Sequence, residues 1–179
     1  MPAASEFMVT LLDLKVHERP AFTCGKAPLD EYLWKRANQD AKRDATRVHV
    51  LTRVRNPGTI IGYYTLTAGA VRLTELSPEI QKRLAAYPEV GAILIGRLAV
   101  ATSQQGQGMG GRLLKHALRR CLAISEDIAV ALVVIDALDR EAQLFYEHFG
   151  FLSLATNPVT YPIRLVLPIA TLRVEGASR

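Results

Sequence analysis

The chain of 179 residues is 49% hydrophobic with a formal net charge of +5, a composition that excludes a disordered chain and supplies one sizeable core. No apolar run reaches the ~18 to 20 residues that a membrane-spanning helix needs. The two cysteines, Cys24 and Cys121, are too few for a disulfide scaffold or a zinc site, so a cytoplasmic protein with no metal and no membrane contact is expected.

The opening stretch Met1-Pro2-Ala3-Ala4-Ser5-Glu6-Phe7 lacks a charged segment followed by an apolar one, so no signal peptide is expected. Residues 1–8 read as a disordered start or as residues foreign to the native chain, with Met8 a candidate natural start. Alternation from Val9 to Val16 predicts a first strand and the beginning of a single domain over residues 9–170. Phe22-Thr23-Cys24-Gly25 is a turn. Pro28 then opens a helix carrying Leu29, Tyr32, Leu33 and Ala37, which runs, unbroken or interrupted, to about Asp44. Arg47–Val54 and Thr59–Val71 read as strands joined by the turn Asn56-Pro57-Gly58. Ser77 is placed to cap a short helix that starts at Pro78 and ends near Leu84.

The middle of the chain holds its strongest signal. Ala92 to Val100 is a buried strand, and Gln105-Gly106-Gln107-Gly108-Met109-Gly110-Gly111 follows it. In the next helix Leu113, Leu114, Ala117, Leu118, Cys121 and Leu122 form an apolar stripe, opposite Arg112, Lys115, His116, Arg119 and Arg120. Glycines at a strand-to-helix turn let unpaired N–H groups and the helix dipole meet an anion closely. No carboxylate occurs between Glu89 and Glu126 to repel it. A phosphate-bearing ligand is expected, against the alternative of a glycine-rich turn with no ligand.

Downstream, Ala129–Asp136 is another buried strand, and Asp139 caps a helix to Phe149 with Gly150 just past its end. Phe151–Leu154 and Thr160–Leu167 read as the closing strands, and residues 171–179 as a loose tail. Basic residues recur at Lys35, Arg36, Lys42, Arg43 and Arg47, then at Arg53 and Arg55. Asp30, Glu31, Asp40 and Asp44 are interleaved with the first group, so it reads equally well as solvated surface.

Three phosphate-loop patterns compete for the glycines. Gly106-x-Gly108-x-x-Gly111 satisfies the dinucleotide fingerprint, with Asp136 at ribose-binding distance in sequence. Against it, Ala101 to Gln105 separate strand from glycines, and about half the chain comes first. A Walker A loop lacks its Gly-Lys-Ser/Thr. Gln105-x-x-Gly108-x-Gly110 resembles the acyl-CoA diphosphate loop of the GNAT family of N-acetyltransferases, and Ala142-x-x-Phe145-Tyr146-Glu147-x-x-Gly150-Phe151 is similar to that family's A-x-x-F-Y-x-x-x-G-F motif. The order of elements resembles the GNAT fold over nearly the whole chain, which implies an α/β (α+β) fold with a mixed central sheet of six to seven strands flanked by helices.

A narrower resemblance adds Phe22-x-Cys24-Gly25-x-x-x-Leu29-Asp30-x-Tyr32-Leu33, Gly62-Tyr63-Tyr64-Thr65-Leu66 and Gly96-Arg97-Leu98-Ala99-Val100. Together these look like the acetyltransferase toxins of bacterial toxin–antitoxin pairs, the TacT type, with one departure at Ala101 where many relatives have Asp. The resemblance implies acetylation of the α-amino group on aminoacyl-tRNA, a block to translation, and neutralisation by a cognate ribbon-helix-helix antitoxin through which operator DNA is reached. It further implies a homodimer, and acetyl-CoA bound by Leu98, Ala99, Val100, Gln105, Gly106, Gln107, Gly108, Met109, Gly110, Gly111, Ala142 and Phe145. Tyr146 is implied as catalytic, and Lys35, Arg36, Arg97, Arg119 and Arg120 are the candidates for tRNA.

Residue chemistry bears on the acceptor. Ala92–Val100 contains no Asp, Glu or His to act as a general base, and an α-amine of pKa ~7.7 to 8.0 needs one less than a lysine of ~10.4. Asp136 and His148 remain candidate bases, though each reads more simply as a strand-end or surface residue. Direct transfer is expected, with strand N–H groups polarising the thioester carbonyl and Tyr146 giving a proton to the departing thiolate. The alternatives are a GNAT enzyme for protein N-termini, lysines or small amines, and a catalytically idle CoA-binding module.

Overall fold

The strand and helix signals become a mixed α/β fold in a computed structural model that describes residues 6–84, 86–154 and 160–177. In chain order the elements are β1 (Phe7–Leu11), α1 (Ala27–Glu31), α2 (Ala37–Lys42), β2 (Arg47–Arg53), β3 (Gly62–Arg72), α3 (Pro78–Gln81) and β4 (Glu89–Val100). They continue with α4 (Met109–Asp127), β5 (Leu132–Ala137), α5 (Arg140–His148), β6 (Leu152–Ser153), β7 (Ile163–Pro168) and α6 (Ile169–Ala177). The strands form one sheet of seven in the order β1-β2-β3-β4-β5-β7-β6. It is mixed: β4 and β5 run parallel, whereas β1–β2, β2–β3, β5–β7 and β6–β7 are antiparallel. A parallel pair requires a crossover, and α4 supplies it.

By contacts the chain divides into two compact units, one running to Thr67 and including Arg97–Ala117, the other comprising Ala68–Gly96 and the residues from Leu118 onward. In the first, strand alternation turns Val48 and Val50 of β2 and Tyr63 of β3 toward Phe22, Leu29, Leu33 and Ala37 in a buried cluster. Between α1 and α2 the helix widens into one π turn, Tyr32–Arg36, so the helix expected to reach about Asp44 is interrupted and ends at Lys42. In the second unit Val71, Leu76, Ile80, Val90, Leu132, Val134 and Val166 form the buried cluster. Every residue of β5 except Asp136 is buried, which explains its unbroken apolar run.

The β4–β5 ladder runs from Ala92 opposite Leu132 to Ile95 opposite Ile135. Past that last rung, β4 continues through Gly96 to Val100.

Several expected boundaries shift, each for a local reason. The first strand begins at Phe7 and ends at Leu11, because the Asp13 carboxylate accepts from the Lys15 N–H (2.9 Å) and turns the chain there. Phe7 and Met8, expected to precede the fold, pair with Arg53 and Thr52; residues 1–5 lie outside the described residues. Ser77 stands at the N-cap of α3 without a side-chain cap bond, and α3 stops at Gln81. The expected loose tail instead carries α6, docked through Ile169 and Leu172 and through an Arg173 guanidinium 3.4 Å from the Ser125 hydroxyl. Its apolar residues do not gather on one helical face, so periodicity gave no sign of it.

Candidate functional site

The glycine loop has the backbone its sequence requires. Gly106 and Gly108 sit at φ +72° and +77°, a region that side chains other than glycine's enter at a cost. Nothing lies within 4 Å of where a Cβ would stand at either, so the loop surface above them is open. The Arg112 N–H donates to the Gly108 carbonyl at 3.1 Å. Met109, Gly110 and Gly111 open α4, and the first N–H groups of a helix have no partner in its regular i to i−4 ladder. With the dipole of the nineteen-residue α4 they form an anion cradle.

Hydrogen bonds to distant backbone carbonyls hold that cradle in place. The Gln105 side-chain amide gives one N–H to the Cys24 carbonyl and one to the Val100 carbonyl, each at 2.9 Å. Gln105 thus spends its donors inside the protein, fixing where the loop leaves β4. The Thr102 N–H reaches the Thr23 carbonyl at 2.9 Å. The receiving turn is itself pinned by Asp30, whose carboxylate takes the Thr23 hydroxyl (2.9 Å) and the Cys24 N–H (2.8 Å) while only 5% exposed. Such charge-assisted bonds are the strong ones.

Beside the loop, β3 approaches the end of β4 closely. A Cβ on Gly62 would stand 2.8 Å from the Ala99 carbonyl oxygen and 3.2 Å from a Leu113 methyl, so only glycine fits. Ala99 and Val100 are buried and Leu98 half-buried. Arg97, on the same strand, lays its guanidinium 3.6 Å from the centroid of the Tyr32 ring in the π turn. Burial pushes the Tyr32 hydroxyl up to about 12, the Arg97 charge opposing part of that rise.

In the second unit, Asp139 caps α5 by accepting from the Ala142 N–H at 2.9 Å, and Gly150 ends it at φ +88°. Phe145 and Tyr146 follow on the helix, and the Tyr146 ring packs against Phe145 and Phe151 with centroids 5.2 and 5.9 Å away. Burial, and then the charge of Asp139, raise the Tyr146 hydroxyl above its ordinary value. A tyrosine so placed keeps its proton at neutral pH. Asp136 is engaged bidentately by Arg164 at 2.9 and 3.0 Å, which ties up the carboxylate considered as a base.

The acetyltransferase (GNAT) domain profile matches residues 44–152, the stretch that holds β4, the cradle, α4 and α5. This chain belongs to the GNAT acetyltransferase family. The tRNA-acetylating toxin of Mycobacterium tuberculosis is 34% identical over 140 residues, 78% of this chain and 81% of that protein. A probable toxin TacT of Sinorhizobium fredii is 30% identical over 177 residues, 95% of each chain. Among solved structures, AtaT complexed with acetyl-methionyl-tRNAfMet superposes with a TM-score of 0.84 at 24% identity, covering 95% of this chain and 99% of that one. A mutant AtaT toxin bound to the C-terminus of the antitoxin AtaR and acetyl-CoA gives 0.80 at 22% identity, covering 96% and 99%. At these identities the structural likeness speaks for the fold.

As a GNAT enzyme the chain joins Leu98, Ala99, Val100 and the loop Gln105–Gly111 in one unit, and carries Ala142, Phe145 and Tyr146 together on α5. Of the basic candidates, Arg97 and the exposed Lys35 and Arg36 meet at the π turn, Lys35 also pairing with Glu31 at 3.2 Å. Arg119 and Arg120 lie exposed further along α4. Sequence reasoning gave no role to Asp30, whose only signal was its place in the Cys24–Tyr32 motif. It also passed over His49, whose ring stacks on Tyr64 at 4.7 Å while the Tyr64 hydroxyl meets His116 Nδ1 at 2.9 Å. A histidine inside an apolar strand was the signal for that row. Among the described residues no group of His, Cys, Asp and Glu could hold a metal ion, and no helix is long and apolar enough to cross a membrane.

Proposed function

We propose that this enzyme is the toxin of a toxin–antitoxin pair, transferring acetyl from acetyl-CoA to the α-amino group of the amino acid on charged tRNA. Translation stops because the capped amine can no longer form a peptide bond. The observation that carries this reading is the 34% identity to a tRNA-acetylating toxin across 78% of the chain. The open cradle over Gly106 and Gly108 fits the diphosphate of acetyl-CoA, which supplies the activated acetyl thioester.

The chain's own residues divide the work. Amides of Gly106 to Gly111 bind the diphosphate, and Gln105 keeps them in register through Cys24 and Val100. Backbone N–H groups of β4 at Leu98 to Val100, beyond the β5 ladder, hold the carbonyl oxygen where charge develops. Ala142 and Phe145 line the thioester end. Tyr146 holds a proton at its hydroxyl and passes it to the departing sulfur as the new C–N bond replaces C–S, and the proton that the attacking nitrogen sheds restores the hydroxyl. Lys35, Arg36 and Arg97, with Arg119 and Arg120, attract tRNA phosphates. The enzyme works in the cytoplasm as a homodimer, is neutralised by a ribbon-helix-helix antitoxin, and reaches operator DNA through that partner.

Transfer of labelled acetyl from acetyl-CoA to a pool of charged tRNAs tests the reading, with uncharged tRNA as control. Label on the amino acid of charged tRNA alone supports it. Label only on protein N-termini, lysines or small amines replaces the substrate, and acetyl-CoA binding without transfer to any acceptor leaves an idle module.

A further inference from the structure

Outside the cradle, one cluster combines cations and an aromatic ring. The guanidinium carbons of Arg53, at the end of β2, and Arg112, in the first turn of α4, each lie 4.9 Å from the centroid of the Phe7 ring on β1. Arg53 also places Nη2 3.4 Å from Gln104 Oε1 and makes an ion pair with Glu6. Arg112 is exposed, and among the described residues no carboxylate lies within ion-pair distance of it. Gln104 and Arg112 flank the glycine loop in sequence, and the Arg112 N–H donates to the Gly108 carbonyl, so the cluster of two cations on one ring is tied to both ends of the loop segment.

Stacking on a ring fixes a guanidinium's plane while leaving its N–H edges directed outward. Those edges suit a phosphate monoester, which carries roughly −1.5 to −2 charges at neutral pH and accepts several charge-assisted bonds. Backbone amides alone serve a diphosphate; a second, separate phosphate asks for side-chain cations. Glu6 offsets part of the charge of Arg53, which leaves Arg112 the principal partner and Arg53 the support that Phe7 and Gln104 hold in place.

We infer that Phe7, Arg53 and Arg112 form the subsite for the 3′-phosphate of acetyl-CoA, so that the enzyme distinguishes acetyl-CoA from its 3′-dephospho form. The inference rests on acetyl-CoA as the acetyl donor. It does not depend on which amine is acetylated.

Calorimetric titration of the full-length protein with acetyl-CoA and with acetyl-3′-dephospho-CoA tests it without any acceptor. The native protein should bind the phosphorylated form at least about tenfold more tightly, the scale of one charge-assisted pair. Arg112→Gln should lose most of that preference while its affinity for the dephospho form stays within about twofold. Arg53→Gln and Phe7→Leu should lose part of it. Equal affinity of the native protein for the two forms, or a preference undiminished in Arg112→Gln, would overturn the subsite. Equal weakening of both forms in the variants would reduce the cluster to a prop for the loop and also overturn it. Weakened tRNA binding with the donor preference intact would reassign the cations to tRNA. Failure of the native protein to bind either form would instead remove the acetyl-CoA reading on which the subsite rests.

Discussion

Gln105 and Cys24 lie 81 positions apart in the chain, yet the side-chain amide of one donates to the carbonyl of the other at 2.9 Å. The same amide also holds the Val100 carbonyl, and Asp30 fixes the turn that presents Cys24. The glycine loop is therefore positioned by a chain of hydrogen bonds that begins in the first helix. Losing one such bond costs about 0.5 to 1.5 kcal/mol, and more where a charged group is involved. Gln105→Ala and Asp30→Asn should each raise the KM for acetyl-CoA about three- to thirtyfold while kcat changes less. A fall in kcat with KM unchanged would show that the loop does not depend on this anchor.

Tyr146→Phe removes one hydroxyl and leaves the ring packing against Phe145 and Phe151 in place. Loss of a general acid commonly costs about 10²- to 10⁴-fold in rate. Steady-state kinetics should show that loss in kcat, with acetyl-CoA affinity within about threefold of the native protein. Native kcat in the variant would withdraw the proton-donor role.

The pH dependence follows from the direction of the tyrosine shifts. Burial raises Tyr146, so its proton stays in place to above pH ~10 and imposes no falling limb on the rate below that. Activity should rise from pH 6 toward a plateau near the pKa of the acceptor amine, ~7.7 to 8.0 or lower. A falling limb centred below pH 9, in a protein shown still folded there, would contradict a protonated Tyr146.

Alkaline stability has the complementary sign. Tyr32, raised to about 12, and Tyr63 and Tyr146, also raised, ionise more readily in the unfolded chain. Their contribution to stability is fully present below pH ~10 and is lost as pH climbs toward the folded values. Thermal melts should fall between pH ~10 and ~12 at constant ionic strength, and a flat Tm across that interval would contradict the burial of these hydroxyls.

Neither cysteine is equipped as a nucleophile. Burial pushes Cys24 up to about 11 and Cys121 up to about 12, so both stay thiols at neutral pH. Mass spectrometry after incubation with acetyl-CoA should find no acetylated cysteine, and Cys121→Ala should retain at least half the native kcat. An acetyl-enzyme on either cysteine would replace direct transfer with a two-step route.

At Gly62, alanine would put a methyl 2.8 Å from the Ala99 carbonyl oxygen. Overpacking of this kind costs about 1 to 3 kcal/mol, with about 2 to 4 °C of Tm per kcal/mol in a chain of this size. Gly62→Ala should melt lower by several degrees, and an unchanged Tm would show that β3 and β4 separate there without penalty.

Local physics writes part of this protein directly into its chain. Gly106 and Gly108 announce positive φ, the stripe from Leu113 to Cys121 announces one buried helical face, and Asp139 with Gly150 marks the two ends of α5. Each of these depends on residues within a few positions of one another, where period and backbone sterics suffice. The remaining features exist only in the folded molecule. Phe7 becomes a strand residue because β2 is there to pair with it, and α6 forms because Ile169 and Leu172 find buried places to dock. Gln105 finds Cys24, and Arg53 finds Gln104 across 51 positions, only once sheet register has brought distant backbone together. Hydrogen bonds act over about 3 Å, and no local pattern in the chain records which remote carbonyl will lie within that reach.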